Sequence, residues 1–248
     1  RYDNYSDFGD TINPRAALVW QAHRDLTTKL LYGTAFRAPS FSELKQTMEH
    51  NGPPGGPRLK PETIQTLELA FDYRFNSRLR TGLNLFGYDA DGLIERVPDA
   101  NNNVYLRNAL DLQGHGIELE AEWKITDTLK IRGNFSYQHS EDKNTGIRTP
   151  DVPGRKLYLN PHWTFWPDWS IDAQLFWIGD RTRPGQELDD YTVVNLTLRR
   201  KNIARHWDVA LGARNLFDED AYDPSALSRY TDYPLPGRSI FAEIRYNF

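Results

Sequence analysis

Ser239-Ile-Phe-Ala-Glu-Ile-Arg-Tyr-Asn-Phe248 alternates almost without fault. Ile240, Ala242, Ile244, Tyr246 and Phe248 share one parity. Ser239, Glu243, Arg245 and Asn247 share the other, with Phe241 as the lone exception. Successive side chains of a β-strand point to opposite faces, so this strand has one apolar face and one charged face.

The same period of two recurs upstream. In Leu67-Glu-Leu-Ala-Phe-Asp-Tyr-Arg-Phe75 the odd positions are apolar or aromatic, and Glu68, Asp72 and Arg74 stand between them. Ile117-Glu-Leu-Glu-Ala-Glu-Trp-Lys-Ile125 repeats the pattern. So do Leu129, Ile131, Gly133, Phe135 and Tyr137 against Lys130, Arg132, Asn134, Ser136 and Gln138. Trp207, Val209, Leu211 and Ala213 continue it. An amphipathic helix needs apolar spacings of three and four, which these segments lack. The alternation predicts about eleven strands. They lie near residues 15–22, 27–36, 62–75, 79–96, 104–125, 129–140, 155–166, 169–181, 191–201, 206–218 and 239–248.

The connections fall into two classes in strict alternation. Short ones sit at His23-Arg-Asp, Asn76-Ser-Arg, Thr126-Asp-Thr, Pro167-Asp and 202–205. Long ones span 37–61, 97–103, 141–154, 182–190 and 219–238. A membrane barrel sorts its connections this way, with short periplasmic turns and long extracellular loops. A soluble β-sandwich has no reason to. Trp20, Trp123, Trp163, Trp166, Trp169 and Trp207 lie near short turns, and only Trp177 lies toward a long loop. The indole ring favours a membrane–water boundary, so the pattern predicts a periplasmic girdle.

Composition agrees. The 248 residues carry a formal net charge of −4, with aromatics at 13%, which is enough to furnish such a girdle. No run of about 18 apolar residues exists, so no transmembrane helix is expected. A spanning strand averages its two faces, so a mean hydropathy of −0.69 does not exclude a membrane protein. Cysteine is absent, which removes disulfides and thiolate chemistry. Mild acidity without a basic stripe argues against nucleic-acid binding.

Four segments resemble TonB-dependent outer-membrane receptors. Gly33-Thr-Ala-Phe-Arg-Ala-Pro-Ser-Phe-Ser-Glu-Leu44 resembles the family's strand-to-loop segment, and Leu59-Lys-Pro-Glu-Thr-Ile-Gln-Thr-Leu-Glu-Leu69 its re-entry into the next strand. Asn215-Leu-Phe-Asp218 resembles the penultimate strand, and Pro236 to Phe248 the closing strand. Each also has a local reading. Pro39 has no N–H to give a ladder, so its strand ends near Arg37, and Pro61 biases Lys60 away from helix. Arg37 and Glu62 are expected to pair within the wall rather than hold a ligand.

The resemblance implies an all-β, antiparallel transmembrane barrel of about 22 strands with a plugged lumen, of which residues 1–248 are the C-terminal half. It implies that the plug, a short TonB-contacting segment and the first barrel half precede this chain. Arg1-Tyr-Asp resembles the tail of a preceding wall strand. The implied function is TonB-energised uptake of a scarce bulky nutrient, foremost a ferric siderophore, in the bacterial outer membrane. Haem, cobalamin or an oligosaccharide are alternative cargoes. A plugless porin or adhesin barrel and a soluble all-β domain are the rivals from other classes. No enzyme activity and no cofactor are expected. Implied partners are lipid and lipopolysaccharide, the TonB complex and the barrel-assembly machinery, which would read Tyr246 and Phe248 as a signal.

No nucleophile elbow or phosphate-binding loop occurs. His23, His50, His115, His139, His162 and His206 lack the close spacing of a zinc site. Only His50 and His139 fall where a haem ligand would sit. Asp89-Ala-Asp-Gly92 opens like a calcium loop but lacks the later ligands. The segment from Phe41 to Arg58, with Asn51-Gly-Pro-Pro-Gly-Gly-Pro57, reads as a stiff irregular excursion over the mouth. The candidate substrate contacts are Arg148, Arg155, Arg181, Arg183, Tyr230, Tyr233 and Arg238. Guanidinium and phenol groups suit an anionic, aromatic ligand. The competing expectation pairs these arginines with lipopolysaccharide phosphates or with Glu187, Asp189, Asp190, Glu219 and Asp220.

Overall fold

The computed structural model describes residues 1–6, 8–49, 59–98, 104–150, 152–183, 186–224 and 232–248. Eleven strands form one antiparallel sheet in which chain neighbours pair throughout. They are β1 Arg15–His23, β2 Leu26–Arg37, β3 Glu62–Arg74, β4 Leu79–Pro98, β5 Val104–Lys124 and β6 Leu129–Asp142. Then follow β7 Arg155–Trp166, β8 Trp169–Gly179, β9 Tyr191–Ile203, β10 Trp207–Arg214 and β11 Ser239–Tyr246. The sheet is open: β1 and β11 are its edges and do not meet.

Register carries the alternation from strand to strand. Leu30, Leu69, Leu85, Ile117 and Tyr137 stand opposite one another in one row. Leu83, Leu119, Phe135, Leu157 and Trp177 form the next. Leu198, Leu211 and Ala242 carry the band to the closing strand. The other face is polar. Arg80, Glu122, Arg132 and Asn160 make one row, and Asn84, Glu118, Ser136, Lys156, Ile178 and Tyr191 another. Ion pairs stitch this face, such as Lys29 with Asp72 at 2.7 Å and Lys130 with Glu122 at 2.6 Å.

Among the described residues, no hydrophobic core lies behind either face. Leu59, Ala90, Ala210 and Ala221 are the buried apolar residues among those described, while Leu18, Leu67, Leu211 and Ile244 are each more than half exposed. A water-soluble sheet hides one face against a second layer. Here the apolar face is covered by no protein layer, so it needs lipid, and the polar face becomes the lumenal wall. The backbone ladder then satisfies each strand's N–H and C=O groups where water is lacking. Trp20, Trp123, Trp163, Trp166 and Trp207 stay substantially exposed at the short-turn end, which fits a girdle.

The short turns follow from residues that tolerate a left-handed backbone or cap with a side chain. Asp168 has φ 61° between Trp166 and Trp169, and Asn202 has φ 57°. Asn76 Oδ1 accepts the N–H groups of Arg78 and Leu79 at 2.8 and 2.9 Å. The β4 and β5 strands run to 20 and 21 residues, about twice what spanning requires, so they project above the membrane at the long-loop end.

Several expectations need correction. Phe41–Glu49 is a helix, α1, not an irregular excursion. Its start is a capping box: Ser40 N–H donates to Glu43 Oε2 at 2.6 Å, and Glu43 N–H to Ser40 Oγ at 3.3 Å. Asn51 to Pro57 lie outside the described residues. The tail at Tyr2–Tyr5 is extended but pairs with Gly9–Ile12 as a separate hairpin, not within the wall. Gly9, at φ 91°, makes that reversal possible, and Pro14 separates the hairpin from β1. Strand β10 stops at Arg214 because Asn215 turns left-handed, at φ 47°. Two further short hairpins sit in the long loops, Arg181–Arg183 with Gln186–Leu188 and Tyr222–Asp223 with Tyr233–Pro234.

Candidate functional site at the lumenal mouth

The long loops are tied to the strand tops by arginines and carboxylates. At the first corner Arg37 grips Glu62, its cross-strand partner, through Nε and Nη2 at 2.5 Å each. The same guanidinium donates to both Glu43 oxygens at 3.1 Å. This contact holds the Glu43 carboxyl down at about 2. Arg37 and Glu62 therefore pair as expected, and the pair also docks α1.

The other arginines have partners different from those expected. Arg148 donates to Asp180 Oδ1 at 2.5 Å and to the Asp180 carbonyl at 2.9 Å, which holds the Asp180 carboxyl below its usual range. Arg183 binds Asp232 at 2.7 Å and Gln186 Oε1 at 2.6 Å. Arg238 lies 3.6 Å from Asp218, whose Oδ1 also accepts the Arg238 N–H at 2.7 Å. Among the described residues the carboxylate partners are thus Asp180, Asp232 and Asp218. These partners lie 32 positions from Arg148, 49 from Arg183 and 20 from Arg238, so the fold rather than the local sequence brings them together.

Arg181 differs from all of these. It is buried, at 8% exposure, and donates to two backbone carbonyls, Tyr222 O and Asp189 O, both at 2.6 Å. Its guanidinium lies over the Tyr191 ring at 4.6 Å. No carboxylate pairs with it among the described residues. A cavity of about 360 Å³ opens beside it, lined by Lys156, Ile178, Tyr191, Asp223 and Pro224 among others. Lys156, Ile178 and Tyr191 occupy one row of the lumenal face, so this cavity faces the barrel interior.

Register separates the remaining candidates. Arg155 stands opposite Tyr137 and Gly179, in the row of the apolar face, so it points away from the lumen. The period of two sends its neighbour Lys156 inward instead. Tyr233 is exposed on the short hairpin opposite Asp223. Tyr230 lies outside the described residues. Sequence reasoning missed Lys156, Tyr191 and Tyr222; the parity of Lys156 with Tyr158 and Asn160 was the available signal for the first. Asp220 accepts the Tyr222 hydroxyl at 3.1 Å and raises that phenol above its ordinary value.

The histidine and aspartate motifs also resolve. His139 opposes His115 in the row of Leu67 and Gly87, on the outer face, with its ring 3.1 Å from Glu141. His50 lies outside the described residues. Asp89 and Asp91 receive the Lys143 ammonium at 2.7 and 2.8 Å, where a calcium loop would hold its ion. Gly92, at φ 66°, forms a bulge there, and its N–H donates to Asp111 Oδ1 at 2.7 Å.

An open antiparallel wall with a bare apolar belt, an aromatic rim and a loop-lined polar mouth defines an outer-membrane barrel wall. The chain belongs to the family described as "TonB dependent receptor-like, beta-barrel", which it matches over residues 1–216. It is 27% identical over 218 residues to an iron-regulated outer membrane virulence protein of Vibrio cholerae, covering 79% of this chain and 33% of that protein. It is 26% identical to the heme/hemopexin utilization protein C of Haemophilus influenzae, covering 63% of this chain and 27% of the relative. The vitamin B12 transporter BtuB of Vibrio cholerae is 24% identical, covering 100% of this chain and 39% of that protein. The chain thus spans between a quarter and two fifths of these relatives' lengths. Among solved structures, the ferric enterobactin receptor PfeA of Pseudomonas aeruginosa superposes with a TM-score of 0.78 at 22% identity, covering 100% of this chain and 41% of that one. The siderophore receptor PirA of Acinetobacter baumannii gives 0.78 at 18% identity, covering 100% and 42%. The family is one of transport receptors, and the wall lies in the bacterial outer membrane.

Proposed function

We propose that this chain is the C-terminal barrel half of a receptor that imports a scarce, bulky nutrient with energy delivered through TonB, and that the nutrient is a ferric siderophore. In this reading a plug and a first barrel half precede residue 1. Loops capture the substrate, the plug moves under TonB, and the wall stays passive. The observation that carries the substrate class is the mouth itself. Arg148, Arg181, Arg183 and Arg238 lie in and beside the long loops with Tyr191, Tyr222 and Tyr233, and Arg181 has no carboxylate partner among the described residues. Such a surface favours an anion with aromatic or planar chelating groups.

Haem is the second reading, since one relative is named for heme and hemopexin use, but among the described residues no histidine turns into the mouth: His139 faces outward with His115. Tyr246 and Phe248 serve the assembly machinery in this reading, and lipopolysaccharide surrounds the outer face. The test is uptake of radioactive iron by cells whose only ferric-siderophore receptor is the full-length protein. Accumulation of a ferric catecholate or hydroxamate that disappears when TonB is deleted is the expected result. Uptake independent of TonB, or uptake of haem or cobalamin alone, would overturn the proposal.

A further inference from the structure

The corner around Arg181 is electrostatically unfinished. Arg181 Nε and the neighbouring Thr182 Oγ1 are two of the four buried side-chain atoms without a hydrogen-bond partner among the described residues. A buried cation is costly unless a counter-charge or a full set of acceptors meets it. Here two backbone carbonyls and the face of Tyr191 supply part of that stabilisation, and one guanidinium donor is left over. Lys156 lines the same cavity from the lumenal row and forms no ion pair with a described residue. Asp223 is the only carboxylate among the cavity's described lining residues, and it forms no ion pair with either cation. The lining therefore carries an excess of positive charge beside an aromatic floor.

We propose that this cavity binds an oxyanion of the substrate, a catecholate or carboxylate oxygen, between Arg181 and Lys156, with Tyr191 as the stacking surface. The assignment rests on the uptake reading above and adds its ligand chemistry. A guanidinium and an ammonium that line one cavity can each give an oxyanion charge-assisted hydrogen bonds, the strong class of such bonds. The two cations also come from different elements. Lys156 stands on the rigid wall, whereas Arg181 is bonded to the carbonyl of Tyr222 in the last long loop. A bound anion would thus join loop to wall. The rival explanation is that Asp223 swings onto Lys156 and the cavity binds nothing.

The test uses the full-length receptor in detergent and two probes, inorganic phosphate and a ferric tris-catecholate. Calorimetric titration should show the catecholate binding more tightly than phosphate, with affinity falling as salt rises. Lys156→Gln should lower catecholate affinity about tenfold, and Arg181→Gln by at least that much. The Lys156 ammonium forms no ion pair with a described residue, so K156Q reports on binding even if R181Q loosens its loop. Asp223→Asn should strengthen binding by removing a competing carboxylate. Unchanged affinity in K156Q and D223N together would overturn the oxyanion site while leaving TonB-dependent uptake standing. Conversely, anion binding lost in K156Q, in a protein that transports no ferric chelate, would keep the site and sink the uptake reading.

Discussion

Phe241 lies over Gly212, its directly opposed residue on the neighbouring strand, and a Cβ on that glycine would overlap the ring. This explains the one break in the closing strand's alternation. Phe241 stands on the lumenal face, where its ring is sheltered by the bare backbone and by Arg214, whose guanidinium lies 5.4 Å from the ring centre. Gly212→Val should therefore destabilise the folded barrel by about 1–3 kcal/mol through overpacking. The double variant with Phe241→Ala should recover much of that loss. Urea midpoints of the receptor refolded into vesicles check both; equal loss in the single and double variants would refute the pairing.

The two faces should respond oppositely to charge. Leu119 stands in the apolar band between Leu83 and Phe135. Leu119→Arg should cost about 2–4 kcal/mol at mid-membrane depth. Asn84, on the lumenal face, donates weakly toward Glu68 and Glu118 at 3.5 and 3.4 Å. Asn84→Arg would meet both carboxylates and should cost nothing. Outer-membrane yield and urea stability of the two variants measure the contrast. Similar losses in both would mean that the faces are assigned the wrong way round.

Glu43 gives the α1 corner a pH dependence. Its folded value of about 2 lies below the ordinary glutamate value of about 4.3. A depressed carboxylate adds stability that is fully present above the unfolded value and is lost as pH falls through the folded one. Docking of α1 should therefore persist near pH 4 and fail toward pH 2. Hydrogen exchange of the α1 amides, corrected for intrinsic rates, should rise across that window. Glu43→Gln should flatten the response, and Arg37→Ala should release α1 at all pH values.

The wall was legible because a spanning strand must satisfy two solvents at once, and that demand writes a period of two into every segment. Strand ends were less legible. Asn215 and Asp180 stop their strands through left-handed backbones, which asparagine and aspartate tolerate but do not require. The capping box at Ser40 and Glu43 was readable and marks the helix inside a loop that otherwise looks irregular. Site pairings were least legible. Arg183 meets Asp232, which lies 49 positions away, because two hairpins from different loops converge, and no local pattern encodes that.

Arg155 and Arg148 provide a direct check on register. Arg155 shares the outer row with Tyr137, whereas Arg148 binds Asp180 at the mouth. Arg155→Ala should leave ligand affinity unchanged. Arg148→Ala should free Asp180 and the segment before Gly154, and so weaken ligand binding about threefold to tenfold if the loops hold substrate. Titration of the full-length receptor decides. A loss in R155A as large as in R148A would mean that the chain reverses its facing above Leu157.

The terminal aromatics separate stability from assembly. Tyr246 packs against Trp207, with ring centres 4.8 Å apart, at the last register pair of the closing strand. Phe248 lies beyond the strand and is fully exposed, its ring meeting that of Tyr246 nearly at right angles with ring centres 5.1 Å apart. A ring that contributes so little packing has little to lose on truncation. Phe248→Ala should therefore leave the urea midpoint of the refolded barrel within about 0.5 kcal/mol of the parent. Tyr246→Ala should lower it by about 1–3 kcal/mol, since it removes an aromatic pair and its burial on Trp207. If Phe248 serves as the signal read during insertion, F248A should accumulate as unassembled periplasmic protein in cells although it refolds normally in vesicles. Normal surface levels of F248A would rule out that role. A large loss of refolded stability would instead show that the ring packs in the finished wall.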